Sequence, residues 1–324
     1  MIVNIPAPDS LNHVALRLYF SAWSSLVDIR YDFDEYFQTD ADWSQEWEEY
    51  LSGCQPELQA MCATIQQSNE LALKARICEV SPYLLLIRND QKFSLTPKPI
   101  DFSDLRTLDA VELPAAVNSF TPKPLSEKFV RTYDEVRSLR NKITHLGALD
   151  KPFQPDDLLR IMVGQYIELW PERAWLNDRV RHASETRASF FHDGKYVSAE
   201  MVVMHELPAN FAFFANAEFK ALFGHSKQTR RYRCHACVYE ASTRYSAEDK
   251  DGWKTAYMTG DKQRVSCVMC LRQFPVVKKA CHVPECKGTY MAADDEYVGT
   301  CHTCGGHPDD DPPSDEVVVK EHPL

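Results

Sequence analysis

The sequence of 324 residues contains no long apolar run, since its longest stretches, such as "YLLLI" and "FAFF", are far too short to span a bilayer. Its N-terminus, "MIVNIPAPDS", lacks the basic segment and apolar core of a secretory signal peptide. These absences predict a cytoplasmic protein without a membrane segment. Hydrophobic residues make up 44% of the chain and charged residues 26%, a globular composition with enough residues for two ordinary domains.

A net positive charge is also missing, because the formal net charge is −11. This average hides a basic segment. Residues 220–280 carry 13 basic and 5 acidic side chains, which gives +8, whereas residues 281–324 carry 2 basic and 10 acidic side chains, which gives −8. Phosphate binding depends on local charge more than on total charge. The acidic total therefore does not exclude a nucleic acid as the partner.

The cysteines do not suggest a disulfide framework, because nothing in the sequence points to an oxidising compartment. Eight of the eleven lie in close pairs after residue 230, which is a metal-binding pattern. The other three, Cys54, Cys62 and Cys78, lie in predicted helices and are expected to be small buried hydrophobic residues. The paired cysteines form two sets of four: Cys234, Cys237, Cys267 and Cys270, then Cys281, Cys286, Cys301 and Cys304.

Four thiolates from two close pairs complete a tetrahedral Zn²⁺ site with no open position for substrate. The two sets therefore predict two structural zinc ions and no metal in catalysis. The order along the chain favours consecutive pairs in each site, although an arrangement in which alternate pairs share one metal remains open. Backbone amides in the short turns would support the sulfurs, and the glycines after Cys304 suit such a turn.

The predicted fold class is mainly α, with a helical bundle followed by two small four-cysteine zinc ribbons built from short β-hairpins. Apolar residues at three- and four-residue spacing indicate helices through most of residues 11–222, with interruptions near Pro114 and Pro208. The helical pattern ends at about Gly224. The predicted domains are a helical domain at 1–222, a basic first ribbon at 223–280, a second ribbon at 281–306 and an acidic, disordered tail at 307–324.

One predicted helix begins after Ser126, a suitable N-cap, and carries the stretch "RSLRNKITHLG". On a helical wheel Arg140, Asn141 and His145 share a polar arc opposite an apolar stripe. Arginine offers a charged fork for phosphate oxygens, and histidine exchanges protons near neutral pH. The plainer interpretation is a solvated helix end, where a histidine is favoured by the helix dipole alone.

The segment "RNKITH" resembles the R-x4-H motif of HEPN domains, in the form Arg-Asn-x3-His near the end of a long helix. The resemblance would cover about residues 10–220, although residues 130–147 carry it most clearly. It implies a HEPN-like helical bundle in the N-terminal domain. One position departs from a family pattern: Gly147 stands where toxins controlled by a partner nucleotidyltransferase often carry a tyrosine. This difference argues against control by that route.

The resemblance implies a metal-independent endoribonuclease that works as a homodimer, with the motif helices of two subunits forming one cleft. His145 would act as general base or acid, Arg140 would stabilise the charge on the phosphoryl oxygens, and Asn141 would position His145 or the phosphate. The 2′-hydroxyl of the RNA would attack the adjacent phosphorus, which leaves 2′,3′-cyclic phosphate and 5′-hydroxyl ends. The family further suggests a toxin or phage-defence effector, whose antitoxin or regulator the sequence does not identify.

The basic segment interleaves cations with aromatic residues, a combination suited to the backbone and bases of single-stranded RNA. The alternative is that these residues only coat a small domain with little core. The residues predicted to bind RNA are Lys227, Arg230, Arg231, Tyr232, Arg233, Arg244, Trp253 and Lys254.

Two other functions fit the same features. The first is a HEPN-type protein without catalysis, whose ribbons bind a nucleic acid or a protein. The second is a regulator in which the ribbons bind duplex DNA and the helical part forms the dimer. The Arg140 and His145 pair favours the enzyme over both.

Overall fold

The computed structural model describes residues 1–37, 41–87, 99–146, 152–191, 198–242, 252–294 and 296–309. The chain divides into two compact units, residues 1–173 and 174–324. Nine helices in the described residues are followed by a small antiparallel sheet, which confirms the mainly α fold class. The predicted domain limits stay predictions. The described residues contain no helix whose length and apolarity would allow it to cross a membrane.

The first unit consists of helices with one short parallel strand pair. Strand β1 (Ile2–Val3) pairs with β2 (Ile100–Asp101). Short 3₁₀ turns occupy Pro82–Leu86 and Phe102–Asp104. The helices of this unit are α1 (Pro8–Tyr36), α2 (Ser44–Val80), α3 (Leu113–Phe120), α4 (Glu127–Leu146) and α5 (Pro155–Leu169).

The core of the first unit lies mainly between α1, α2 and α5. Trp23 and Phe20 of α1 are completely buried, and Tyr19 donates its hydroxyl hydrogen to the carbonyl of Met162 in α5 at 3.1 Å. The Tyr19 ring also lies 5.6 Å from that of Tyr166. This aromatic packing buries large apolar areas and so holds α1 against α5.

The helix α4 has the predicted N-cap, because the Ser126 hydroxyl oxygen accepts the backbone N–H of Phe129 at 3.2 Å. The side chains of Phe129 and Val136 are buried, as the apolar stripe predicted. The predicted helical stretch is interrupted near Pro114 as expected, because α3 begins only at Leu113 and this proline lies in its first turn. Its missing N–H costs no helical hydrogen bond there.

The second unit begins with α6 (Trp175–Ser184), a 3₁₀ turn at Ala188–Phe191, and α7 (Ala199–Phe213). The expected break near Pro208 is wrong, because Pro208 lies inside α7. The chain instead breaks after Phe213, where the Glu218 carboxylate accepts the N–H of Ala215 at 2.8 Å and so caps the next helix. That helix, α8 (Asn216–Phe223), ends at Gly224, whose φ of 72° suits glycine.

Residues after Gly224 were expected to lack helix, yet α9 (His235–Ala241) begins directly after Cys234. The remaining elements form one five-stranded antiparallel sheet whose strands are adjacent in chain order. Both four-cysteine sets therefore attach to a single sheet. Its strands are β3 (Arg231–Tyr232), β4 (Ala256–Met258), β5 (Arg264–Cys267), β6 (Gln273–Lys278) and β7 (Tyr290–Ala292).

Candidate metal centres and the Arg140–Asn141 pair

The first four-cysteine cluster joins the start of α9 to the end of β5. The Sγ atoms of Cys234 and Cys270 lie 3.7 Å apart, and those of Cys237 and Cys267 lie 3.6 Å apart. Backbone amides support the ligands as predicted, since the N–H of Met269 donates to the Cys267 sulfur at 3.3 Å. The four sulfurs lie within 4.8 Å of one another.

The second cluster follows the same pattern beyond β6. Its sulfurs are 3.6 Å apart between Cys281 and Cys304, and 4.0 Å apart between Cys286 and Cys301. Gly288 donates its N–H to the Cys286 sulfur at 3.3 Å. A Cβ atom at Gly288 would lie 2.5 Å from the Cys301 sulfur, so this position excludes every other residue type.

These distances fit a tetrahedral metal ion. A Zn–S bond of about 2.3 Å requires sulfurs about 3.8 Å apart, close to the observed pairs. Each cluster combines two pairs that are consecutive in the chain, so the alternative with alternate pairs sharing a metal is excluded. Both clusters can therefore hold one metal ion such as zinc. The thiolates leave no coordination position for a substrate, which indicates a structural role.

Two histidines beside the cysteines are not needed as ligands. His235 and His302 occupy the same position in two Cys-His-x-Cys turns, and their rings approach each other with centroids 5.3 Å apart. His235 Nε2 lies 3.1 Å from the Asp294 carboxylate. Burial lowers the pKa of both histidines and so favours their neutral form. The repeated Cys-His-x-Cys pattern was a signal that sequence reasoning did not use.

On α4 the guanidinium of Arg140 donates from Nη1 to the amide oxygen of Asn141 at 3.0 Å. The Arg140 side chain is 38% exposed, so its fork is accessible from solvent. His145 lies in the last turn of the same helix, and its side chain falls outside the described part of the chain. The pairing of Arg140 with Asn141 is thus described, whereas their geometry relative to His145 is not.

Glu70 of α2 is a neighbour that sequence reasoning missed. Its Oε1 lies 3.9 Å from Arg140 Nη2, and it accepts a hydrogen bond from Gln66 at 3.3 Å. This acidic side chain places a negative charge near the guanidinium, whose side chain is still 38% exposed. No periodic pattern could have indicated the contact, because the two residues lie 70 positions apart on different helices.

The predicted RNA-binding cations lie in different environments. Lys227 donates to the carbonyls of Ala212 and Phe214 at the end of α7, which is a helix-capping contact. Arg231 lies over the Phe211 ring at 4.5 Å. These contacts occupy both side chains within the unit. Lys254 is half-buried, and Arg244 falls outside the described residues.

Two other cations converge on the second cluster. Arg230 is exposed and donates to the Thr303 hydroxyl at 3.1 Å, and Arg233 donates from Nε to the Thr303 carbonyl at 3.3 Å. The chain therefore brings the basic segment next to the turn between Cys301 and Cys304.

The aromatic half of the predicted RNA surface needs correction. Trp253 is 1% exposed and packs edge-on against His205, and Tyr232 is 6% exposed. Both rings therefore contribute to the core of the second unit. Neither presents an open face for stacking. Tyr239, by contrast, is 66% exposed.

Comparison with models of known families, with curated proteins and with solved structures gave no match for this chain.

Proposed function

We propose that this protein is an endoribonuclease whose candidate catalytic groups are Arg140, Asn141 and His145, and whose two cysteine clusters hold structural Zn²⁺. The observation that supports the catalytic part is the Arg140–Asn141 pair, joined at 3.0 Å on a partly exposed helix face. A permanently charged fork beside an amide suits a phosphodiester. His145 follows Asn141 by four residues, one helical turn further along α4.

The proposed reaction needs no metal. His145 removes the proton of a ribose 2′-hydroxyl, whose oxygen then attacks the adjacent phosphorus. Arg140 stabilises the negative charge that develops on the phosphoryl oxygens. The bond between phosphorus and the 5′-oxygen breaks, and that oxygen takes up a proton. The products carry a 2′,3′-cyclic phosphate and a 5′-hydroxyl.

Glu70 has a positioning role in this proposal. Its carboxylate lies 3.9 Å from Nη2 of Arg140, while Nη1 donates to Asn141, so the two contacts hold different nitrogens of one guanidinium. We also propose a homodimer in which two α4 helices form one cleft. A protein that sediments as a monomer at the concentrations where it cleaves RNA would contradict the shared cleft.

Zinc is the proposed metal because four thiolates at these spacings suit a closed tetrahedral site. Each site then carries a charge of about −2 from four thiolates and one Zn²⁺. The first cluster therefore leaves the basic segment of residues 220–280 positive overall. We propose that RNA is drawn to this segment by its phosphates.

The test is cleavage of a mixed cellular RNA pool by the wild type and by His145→Ala, in EDTA, with analysis of the product ends. We expect wild-type cleavage that leaves cyclic phosphates, and a rate about 100- to 10,000-fold lower in the variant, the usual contribution of general acid–base catalysis. The matched control is His13→Ala, which removes an exposed histidine of α1 and should cleave normally.

Equal cleavage by the wild type and His145→Ala would contradict the catalytic assignment. Tight RNA binding without cleavage by either protein would favour the second candidate, a non-catalytic RNA-binding protein. The closed geometry of both clusters and the converging Arg230 and Arg233 favour that candidate if catalysis fails.

A further inference from the structure

A cavity of about 290 Å³ opens in the second unit between α9 and the second cysteine cluster. Its walls combine imidazoles, tyrosine rings and the turn that carries the cluster. Its lining includes His235, Tyr239, Tyr297 and His302. None of these four belongs to a cysteine cluster, but the cavity also touches Cys301, so it borders the second cluster.

The inner wall carries buried polar atoms without partners. His302 is 2% exposed, and its Nδ1 donates to the carbonyl oxygen of Arg233 at 2.9 Å. This bond places the proton on Nδ1 and leaves Nε2 of the neutral ring as an acceptor. Nε2 has no hydrogen-bond partner among the described residues, and neither does Nδ1 of the buried His235. Buried polar atoms are normally paired, so these two suggest that a ligand completes the wall.

The mouth of the cavity is aromatic. Tyr239 is 66% exposed, and its ring meets that of Tyr297 edge-to-face at 6.3 Å. Tyr297 in turn stacks on His235 at 4.2 Å. The wall is therefore a continuous row of flat rings running from solvent to the buried imidazoles. A planar ligand with polar edges fits such a surface better than a compact or aliphatic one does.

Cations lie beside the same wall. Arg230 and Arg233 both contact Thr303, the residue that follows His302. Arg230 is exposed, so its guanidinium can reach a phosphate next to a planar group held in the cavity. Flat stacking faces, a hydrogen-bonding inner wall and a neighbouring cation are together the requirements for binding an unstacked base of single-stranded RNA.

We propose that this cavity receives one unstacked nucleobase of single-stranded RNA. The base stacks on Tyr239 and donates an edge N–H to Nε2 of His302, while Arg230 contacts the adjoining phosphate. This inference rests on the proposed function, since it names the site by which the second unit recognises the RNA. A third metal ion is the weaker occupant, because the metal-binding sets of the described residues are the two cysteine clusters.

The experiment measures binding of a short fluorescein-labelled single-stranded RNA by fluorescence anisotropy, with the full-length zinc-loaded protein carrying His145→Ala to prevent cleavage. In this background Tyr239→Ala should weaken binding about tenfold, as expected for the loss of one base–aromatic stack. Tyr239→Phe should retain the affinity. Tyr31→Ala removes a tyrosine of α1 with a similar exposure, 62%, and is the matched control without effect.

His302→Asn tests the inner wall, because the asparagine amide can still donate to the Arg233 carbonyl while the Nε2 acceptor is lost. We expect weaker binding to the RNA with bases but unchanged binding to the same backbone made abasic. Retained zinc content and an unchanged circular dichroism spectrum would verify that this variant folds.

The proposal is overturned if Tyr239→Ala and His302→Asn bind the RNA as tightly as their parent. It is also overturned if the protein takes up a third equivalent of zinc that His302→Asn abolishes, since the cavity would then be a metal site. Cleavage is measured separately. Loss of base-dependent binding with intact cleavage would remove this inference alone, whereas base-dependent binding without cleavage would remove only the nuclease.

Discussion

Each of the two units is stabilised internally in a different way. The first has long helices, with 29 residues in α1 and 37 in α2, and a core of apolar and aromatic side chains. The second combines four shorter helices, α6 to α9, with strands of two to six residues and eight cysteines gathered in two clusters. Long amphipathic helices bury enough apolar surface to fold by packing. Very short strands do not, and so they depend on cross-links.

The largest expected effect is loss of a metal from the second unit. Cys267 is 1% exposed and lies at the end of β5, so Cys267→Ser removes a buried ligand of the first cluster. A structural zinc site contributes on the order of 10–16 kcal/mol at neutral pH. We expect the bound zinc to fall from two equivalents to one, and the second unit to become sensitive to protease while the helices of the first unit persist.

Elemental analysis and limited proteolysis measure both effects. Cys62→Ala is the matched control, since it removes a buried cysteine of the first unit and should leave two zinc ions bound. Full zinc content in Cys267→Ser would show that the cluster does not hold the metal.

A smaller effect is expected from a substitution that creates a cavity in the core of the first unit. Trp23 is completely buried in α1, and Trp23→Ala should lower the free energy of unfolding by about 3–5 kcal/mol. Thermal unfolding followed by circular dichroism measures this change. Tyr36→Ala, at an 81% exposed position of the same helix, should change the free energy by less than about 0.5 kcal/mol.

The zinc content of Trp23→Ala should equal that of the wild type. Release of zinc at the same temperature as the loss of helix would argue against separate stabilisation of the two units.

The smallest expected effect is a difference in the alkylation rate between the cysteines of the two units. Burial raises the pKa of Cys62 to about 11 and that of Cys78 to about 11, so both remain neutral thiols at pH 8. Because the thiolate is the nucleophile, both should react slowly with iodoacetamide even after chelation of zinc. The eight cluster cysteines should react quickly once the metal is removed. Peptide mass spectrometry distinguishes the two groups, and rapid labelling of Cys62 would contradict its burial.

Much of the fold was predictable because its signals are local. Ser126 caps α4 and Phe129 faces the core as predicted, since capping and helical periodicity involve residues a few positions apart. The interruption near Pro114 was predicted correctly, since proline suits the first turn of a helix. The break near Pro208 was wrong, because this packed helix tolerates an internal proline. The helix α9 was missed because seven residues, one of them Cys237, are too few to show a periodic stripe.

Some residues of the candidate sites could also be predicted from the sequence, and others could not. The eight metal ligands were identified from their spacing, because a tetrahedral thiolate site imposes close pairs on the chain. The burial of Tyr232 and Trp253 was not predictable, since an aromatic residue in a basic segment serves a core or a surface equally well. The Arg140, Asn141 and His145 assignment remains a prediction for the cleavage assay.

The sequence by itself determined the helical first part, the two sets of metal ligands and the contrast between a basic segment and an acidic end. Each of these depends on spacing or composition along the chain. Only the tertiary structure placed Glu70 beside Arg140 and brought His235 next to His302. It also gathered both clusters on one sheet. Contacts between residues far apart in sequence depend on how the elements pack, and packing leaves no periodic trace in the order of the residues.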